Sequence, residues 1–271
     1  MSPIEQVEPP RSPQETLPTM YDLPSEDSEE PGVPDEYHIL QPELLSATFC
    51  PPNYAADEIF VASDLNLYYD PQHYNWYKRP DWFAVLGVSR LYNNRELRLS
   101  YVNWQEGIRP HVVIEFLSPG TRNEDLGRRE RRTQQPTKWQ VYEQILGIPY
   151  YILFDRYTDE LQIFQLEGGY YQPLELTEPK IWLPHLEIGL GLWLGEYRGI
   201  TRNWLRWSDL QENWIPTPTE QERQEKELAQ QQLEQERQEK ELVQQQLEQE
   251  RQRAERLAER LRQAGINPDE I

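Results

Sequence analysis

The stretch PHVVIEFLSPGT, Pro110 to Thr121, decides the fold. Val112, Val113 and Ile114, followed by Phe116 and Leu117, read as a buried strand, and Glu115 interrupts that apolar run. A carboxylate left unpaired in such surroundings costs several kcal/mol. Glu115 therefore needs a partner. Either a core arginine faces it, or a second carboxylate and a shared cation do.

Working outward, strand-like runs precede this segment: EIFVAS and LNLYY within 58–69, WFAVLGV at 82–88 and LRLSYV at 97–102, with Asn93 and Asn94 as a turn. Downstream, PTKWQVYEQILGIP (136–149) reads as a helix. Trp139, Tyr142, Ile145 and Leu146 are spaced for one face, and Gly147 and Pro149 stop it. YYILFD (150–155) and LQIFQL (161–166) form a hairpin around Arg156–Glu160, and GGYYQPLEL adds a turn and a strand. Upstream of them all, PDEYHILQPELLSATF reads as a helix capped by Asp35, or as one that starts at Pro42 with Gln41 as cap. This order of elements indicates an α/β or α+β domain on a central mixed sheet flanked by helices.

The ends differ from this middle. Residues 1–35 form an acidic, proline-rich arm with few apolar residues, the composition of a disordered segment. Residues 218–264 contain EQERQEKELAQQQL (220–233), the near copy EQERQEKELVQQQL (234–247) and the looser EQERQRAERLAERL (248–261). A 14-residue repeat is two heptads, and this one holds no Gly or Pro, so a long charged helix is expected. Leu233, Leu247, Ala254 and Leu261 would share one core position, and Ala229, Val243 and Leu257 the other; Lys226, Lys240, Glu236 and Glu250 break the seam. The helix is either a solvated single helix or a coiled coil that makes the protein a homo-oligomer. Gly265 ends it, and 265–271 is a tail. The globular domain is thus expected at 36–217.

Net charge is −20. Eleven acidic residues against Arg11 in 1–43, and fourteen against nine basic ones in 218–271, leave only −5 for the middle. The acidity argues against a broad basic face for nucleic acid. A lone cysteine, Cys50, the absence of a leader-like apolar stretch, and no run of about 20 apolar residues point to a cytoplasmic protein with no membrane span. The four histidines show no zinc-like spacing.

Asp81, in KRPDWFAV, sits just before the 82–88 run. If that strand neighbours 112–117, Asp81 faces Glu115, and two carboxylates so close repel unless a cation compensates them. Mg²⁺ takes one or two carboxylates, and such an ion can activate water and stabilise a phosphodiester transition state. RPDWFAV, then VVIEFLSPGT, then EDLG, then KWQVYEQILGIPYYILFD resembles, motif by motif and in order, the Uma-two family of bacterial proteins of the restriction-endonuclease-like PD-(D/E)xK superfamily. The resemblance spans about residues 36–195. It implies a restriction-endonuclease-like core and a Mg²⁺- or Mn²⁺-dependent nuclease that hydrolyses nucleic-acid phosphodiester bonds, with DNA as a candidate partner and DNA or RNA left open. Asp81 and Glu115 would be the metal ligands, and Lys138, four residues before Tyr142, the catalytic lysine. Glu43 stands where the fold carries an early helical carboxylate. The chain departs from the pattern in having Leu117 at the usual strand-lysine position and a long segment between Asp125 and Lys138. Within that segment Arg128, Arg129, Arg131 and Arg132 (GRRERR, 127–132) offer a local basic cluster for nucleic acid. The absent strand lysine and the acidic balance suit a different protein, a catalytically inactive nuclease-fold scaffold that binds partners.

Overall fold

The structure, a computed structural model, describes residues 35–118, 125–127, 135–176 and 180–264. They divide into two compact units that meet between Ile215 and Pro216. The acidic arm, the tail and the GRRERR arginines lie outside the described residues.

The first unit is built on a six-stranded sheet in the order β1 (Ile59–Ala62), β4 (Trp82–Leu86), β6 (Val112–Phe116), β7 (Tyr150–Asp155), β8 (Glu160–Glu167), β9 (Tyr170–Pro173). Only β6 and β7 run parallel; every other pair is antiparallel. That mixed sheet is the one expected. Residues of β4, β6 and β7 are buried on both faces, which is why they read as continuous apolar runs. The pleat sorts them. Trp82, Ala84, Val112, Ile114, Phe116, Ile152 and Phe154 join one cluster, and Phe83, Val85, Val113, Leu117, Tyr151 and Leu153 join the other. By the same alternation Glu115 falls on the second face. So does Asp81, one residue before Trp82.

Two layers cover the first face. One is helix α1 (Tyr37–Thr48); the other is a three-stranded antiparallel sheet of β10 (Lys180–Leu183), β11 (Ile188–Tyr197) and β12 (Ile200–Ser208). Nothing in the sequence reading assigned these three strands. Trp204 and Trp207 are buried there, as packing residues. Helix α1 does not start at Pro42: the proline lies inside it, and the expected cap Gln41 has another task. Fully buried, Gln41 donates through Nε2 to Leu205 O at 2.8 Å and accepts from Leu205 N at 2.9 Å, so one amide docks the helix on β12.

The second face is covered by a small sheet of β2 (Leu67–Tyr68), β3 (Tyr77–Lys78) and β5 (Tyr101–Val102) and by the helix that starts at Lys138; the short α2 (Asn103–Glu106) follows β5 and buries no residue. The expected 97–102 strand shrinks to β5. Arg98 turns inward to meet Glu106 at 2.8 Å and lies over the Phe60 ring, while Leu97 and Leu99 face solvent. Helix α3 (Lys138–Gln140) is entered through a capping box of Thr137 and Gln140 and continues as a π turn over Val141–Ile145, shorter than the 136–149 expected. Gly147 ends it at φ +62°, and a Cβ there would stand 2.9 Å from Arg109 Nη1. The wider turn leaves Tyr142 and Leu146 buried but turns Ile145 outward.

The second unit is α4 (Pro218–Gln263), 46 residues capped by Thr217, with Pro218 opening the first turn. Among the described residues no helix is long and apolar enough to cross a membrane.

Candidate functional site: a buried carboxylate–lysine cluster

Register brings the first two groups together. Trp82 pairs with Ile114 across the antiparallel β4–β6 ladder, so Asp81, one step earlier, lies opposite Glu115, one step later. Phe116 N donates to Asp81 Oδ2 at 2.6 Å, and Asp81 N donates to Glu115 Oε2 at 3.3 Å. Asp81 leaves a quarter of its side chain exposed, whereas Glu115 exposes none.

Helix α3 supplies the partners Glu115 needs. Lys138 and Tyr142 are four residues apart and so share a helix face. Lys138 Nζ reaches Glu115 Oε2 at 2.9 Å, and Tyr142 Oη donates to Glu115 Oε1 at 2.9 Å. The same ammonium meets Asp125 Oδ1 at 2.9 Å, on a carboxylate only 1% exposed. Tyr151 Oη donates to the Asp125 carbonyl at 2.9 Å, which ties that residue to β7. Glu115 is therefore held by a lysine, a phenol and a backbone amide, and among the described residues no arginine pairs with it.

The electrostatics follow from three carboxylates around one ammonium. Burial pushes the Glu115 carboxyl up to about 8; Lys138 opposes the rise, and Asp81 and Asp125 add to it. Burial also raises Asp81, against the pull of Lys138 and His38. Burial works against the charge on Lys138, but Asp125, Glu115 and Asp81 outweigh it and hold the amine well above its ordinary range. The lysine stays charged, and the remaining negative excess calls for a proton or a cation.

Helix α1 contributes His38. Its Nε2 lies 3.4 Å from Phe116 O and 4.0 Å from Asp81 Oδ2, and its Nδ1 lies 2.9 Å from Asp35 Oδ1. Asp35 also accepts from His38 N at 3.2 Å and pairs with Arg156 at 2.7 Å. Burial disfavours the imidazolium, yet Asp35 and Asp81 raise His38 above its usual range. The N-cap position is Glu36, with no side-chain cap bond; Asp35, the expected cap, lies one residue earlier, accepts from His38 N and fixes the ring.

Of the residues singled out in the sequence, the structure brings Asp81, Glu115 and Lys138 together. It takes Glu43 elsewhere: that carboxylate pairs with Arg198 on the connection after β11, half exposed. The α1 residue that reaches the cluster is His38, one turn nearer the helix start, and it was missed. So was Asp125, although the EDLG motif contains it. The i, i+3 spacing of Asp35 and His38 was the available signal for the first; for Asp125 it was a carboxylate beside a run of arginines. The candidate nucleic-acid residues Arg128, Arg129, Arg131 and Arg132 lie outside the described residues.

Among the described residues, no group of three His, Cys, Asp or Glu side chains is arranged to hold a metal ion by itself. The donor set still fits a hard divalent cation. Mg²⁺ takes one or two protein carboxylates and completes its shell with waters and phosphate oxygens. Asp81 reaches solvent. Three donors use three of the roughly four lone-pair directions of Glu115, which leaves one.

A family model described as "Putative restriction endonuclease", Uma2, matches residues 15–196, more than half of the chain. No curated protein matches. Among solved structures the chain is similar to that of a "putative nuclease belonging to DUF820" from Anabaena variabilis ATCC 29413, at 15% identity. That match covers 55% of this chain and 72% of the other, with a TM-score of 0.34. By the family match, the chain belongs to the Uma2 family.

Proposed function

We propose that this Uma2-family chain hydrolyses phosphodiester bonds of nucleic acid, DNA in the first instance, with Mg²⁺ or Mn²⁺ held by Asp81 and Glu115. The observation that carries the reading is that Asp81 and Glu115, set side by side by the β4–β6 register, share one buried cluster with Lys138, whose ammonium pairs with Glu115. A divalent cation bound there would supply Lewis-acid activation of water and charge stabilisation at the phosphate.

The chain's own residues divide the remaining work. An ammonium has three donors, and Lys138 spends two on Glu115 and Asp125. Its third is free to hold the attacking water or a phosphate oxygen. Tyr142 and the Asp81 amide fix the Glu115 carboxylate, so it pays little reorganisation when a substrate arrives. His38, anchored by Asp35, stands beside Asp81 and the Phe116 carbonyl as a third polar group at the open end of the cluster. The arginines of 127–132 flank Asp125 in sequence and are the nearest basic run to the cluster along the chain.

One observation favours a second reading, a catalytically inactive scaffold. Lys138 already bridges two carboxylates, so the cluster is a closed ion-pair network as it stands. Incubation with supercoiled plasmid in Mg²⁺ or Mn²⁺ separates the two. Nuclease action predicts nicking by the wild type, with loss of at least about a hundredfold in Asp81→Asn and Lys138→Gln. No cleavage by the wild type with either metal supports the scaffold.

A further inference from the structure

The seam of α4 carries a code for its partner. Leu233, Val243, Leu247 and Leu257 are each more than half exposed on this helix. They line one stripe together with Ala229, Ala254 and Leu261, at alternating steps of three and four. Within the stripe, Glu222, Lys226, Glu236, Lys240 and Glu250 replace apolar residues. Leu228 and Leu242 stand off it.

A second copy in parallel register stacks like on like: Lys226 on Lys226, Glu236 on Glu236, Lys240 on Lys240, Glu250 on Glu250. Sliding that copy by one heptad puts every seam charge against an apolar residue, as with Lys240 on Leu233. Reversing the direction changes the outcome. With the two helices crossing at Gln238, Lys226 faces the other copy's Glu250 and Glu236 faces its Lys240. Ala229 meets Leu247, and Leu233 meets Val243. These four charges find opposites and these four apolar residues apolar partners, while Glu222 falls against Ala254 and Leu257 against Thr219; the two seam positions face one another as antiparallel packing requires. An antiparallel register two heptads on keeps only one of the two opposite-charge pairings, Lys240 with Glu250, and sets Glu236 against Ala254 and Lys226 against Ala264.

We propose that α4 self-associates as an antiparallel two-stranded coil centred on Gln238, the occupant of its exposed stripe being a second copy of the same helix. Charge complementarity along the seam selects it over every parallel register, and like charges opposite one another penalise the alternative. Within the helix Lys240 lies 3.7 Å from Glu236 of its own chain, so in the pair these residues and their copies form one alternating group of four charges. At 1.5 Å per residue the two helix starts then stand about 60 Å apart. The two globular units would be attached at opposite ends.

The test uses the full chain with the lone Cys50, which is exposed, replaced by Ser. Leu233→Cys and Val243→Cys chains are prepared separately, mixed and oxidised. The antiparallel pair predicts a cross-linked dimer in the mixture and little in either chain alone; efficient self-linking of Leu233→Cys overturns it. Linking of Leu233→Cys to Leu257→Cys in place of Val243→Cys overturns the register. Light scattering of chains without added cysteines guards against a failed variant. The intact chain should run near twice 32.5 kDa. Lys240→Glu should weaken the pair by about tenfold or more, and adding Glu236→Lys should restore it. A monomer at all concentrations, or indifference to Lys240→Glu, contradicts the proposal.

Discussion

A basic side chain against a glutamate occurs in both units, with opposite physical meaning. Lys138 and Glu115 lie 2.9 Å apart with side chains 14% and 0% exposed; Arg223 and Glu227 lie equally close on α4 at 81% and 56%. In the exposed pair, water screens the charges and tethering costs side-chain entropy, so the contact adds little. In the buried pair the charges cannot return to water, and each partner's loss strands the other. The same chemistry is a surface decoration in one place and a constraint on the fold in the other. Burial also makes the inner cluster suited to chemistry, because field and proton affinity there depend on which cations are present.

The contrast breaks most visibly at Lys138. Lys138→Met leaves Glu115 and Asp125 without their cation and should cost about 3–5 kcal/mol in urea unfolding at pH 9. The loss should shrink as pH falls below 8, where Glu115 holds a proton instead. A small, pH-independent loss would mean that the pair is no more consequential than the surface one.

Glu115→Gln sharpens the point through pH. Folded Glu115 titrates near 8, well above its unfolded value. The folded state therefore binds more protons across pH 4.5 to 8, and stability falls as pH rises through that window. The substitution removes this slope, and Lys138 keeps Asp125 as a counter-ion. Relative to wild type, Glu115→Gln should thus gain stability from pH 5 to pH 8, ending neutral or more stable at the upper end in melting curves taken without metal. A variant that loses ground as pH rises would show a net favourable role for the carboxylate charge.

Deleting 216–271 should change the unfolding free energy of the first unit by about 1 kcal/mol or less. Smallest of all, Arg223→Ala should cost below about 0.5 kcal/mol and respond to salt. An effect there as large as that of Lys138→Met would erase the distinction between the two regions.

The pattern of legibility follows the same division. Continuous apolar runs announced β4, β6 and β7 because both of their faces are covered, and the heptads announced α4. The β10–β12 sheet was not recognised: its strands mix glycines and arginines, and their burial comes from α1 and the first sheet. Glu115 stood out as a candidate by being a charge in an apolar strand. Asp81 and Lys138 followed from motif order, and the β4–β6 register together with the shared face of α3 explains why they converge. Glu43 was misplaced because a helical sequence does not say which turn reaches the strand ends. His38 does so through Asp35 and Arg156, and that anchoring involves a residue 118 positions away from His38.

We propose that Asp81 and Glu115 are held together, at an electrostatic cost, for a divalent cation. Melting of the wild type and Asp81→Asn at pH 8, with and without Mg²⁺, tests it most directly. The account predicts a metal-dependent rise in the wild type, equivalent to about 2.7 kcal/mol at a hundredfold excess over the dissociation constant, and none in Asp81→Asn. A wild type that does not respond, or an equal rise in both proteins, would contradict it.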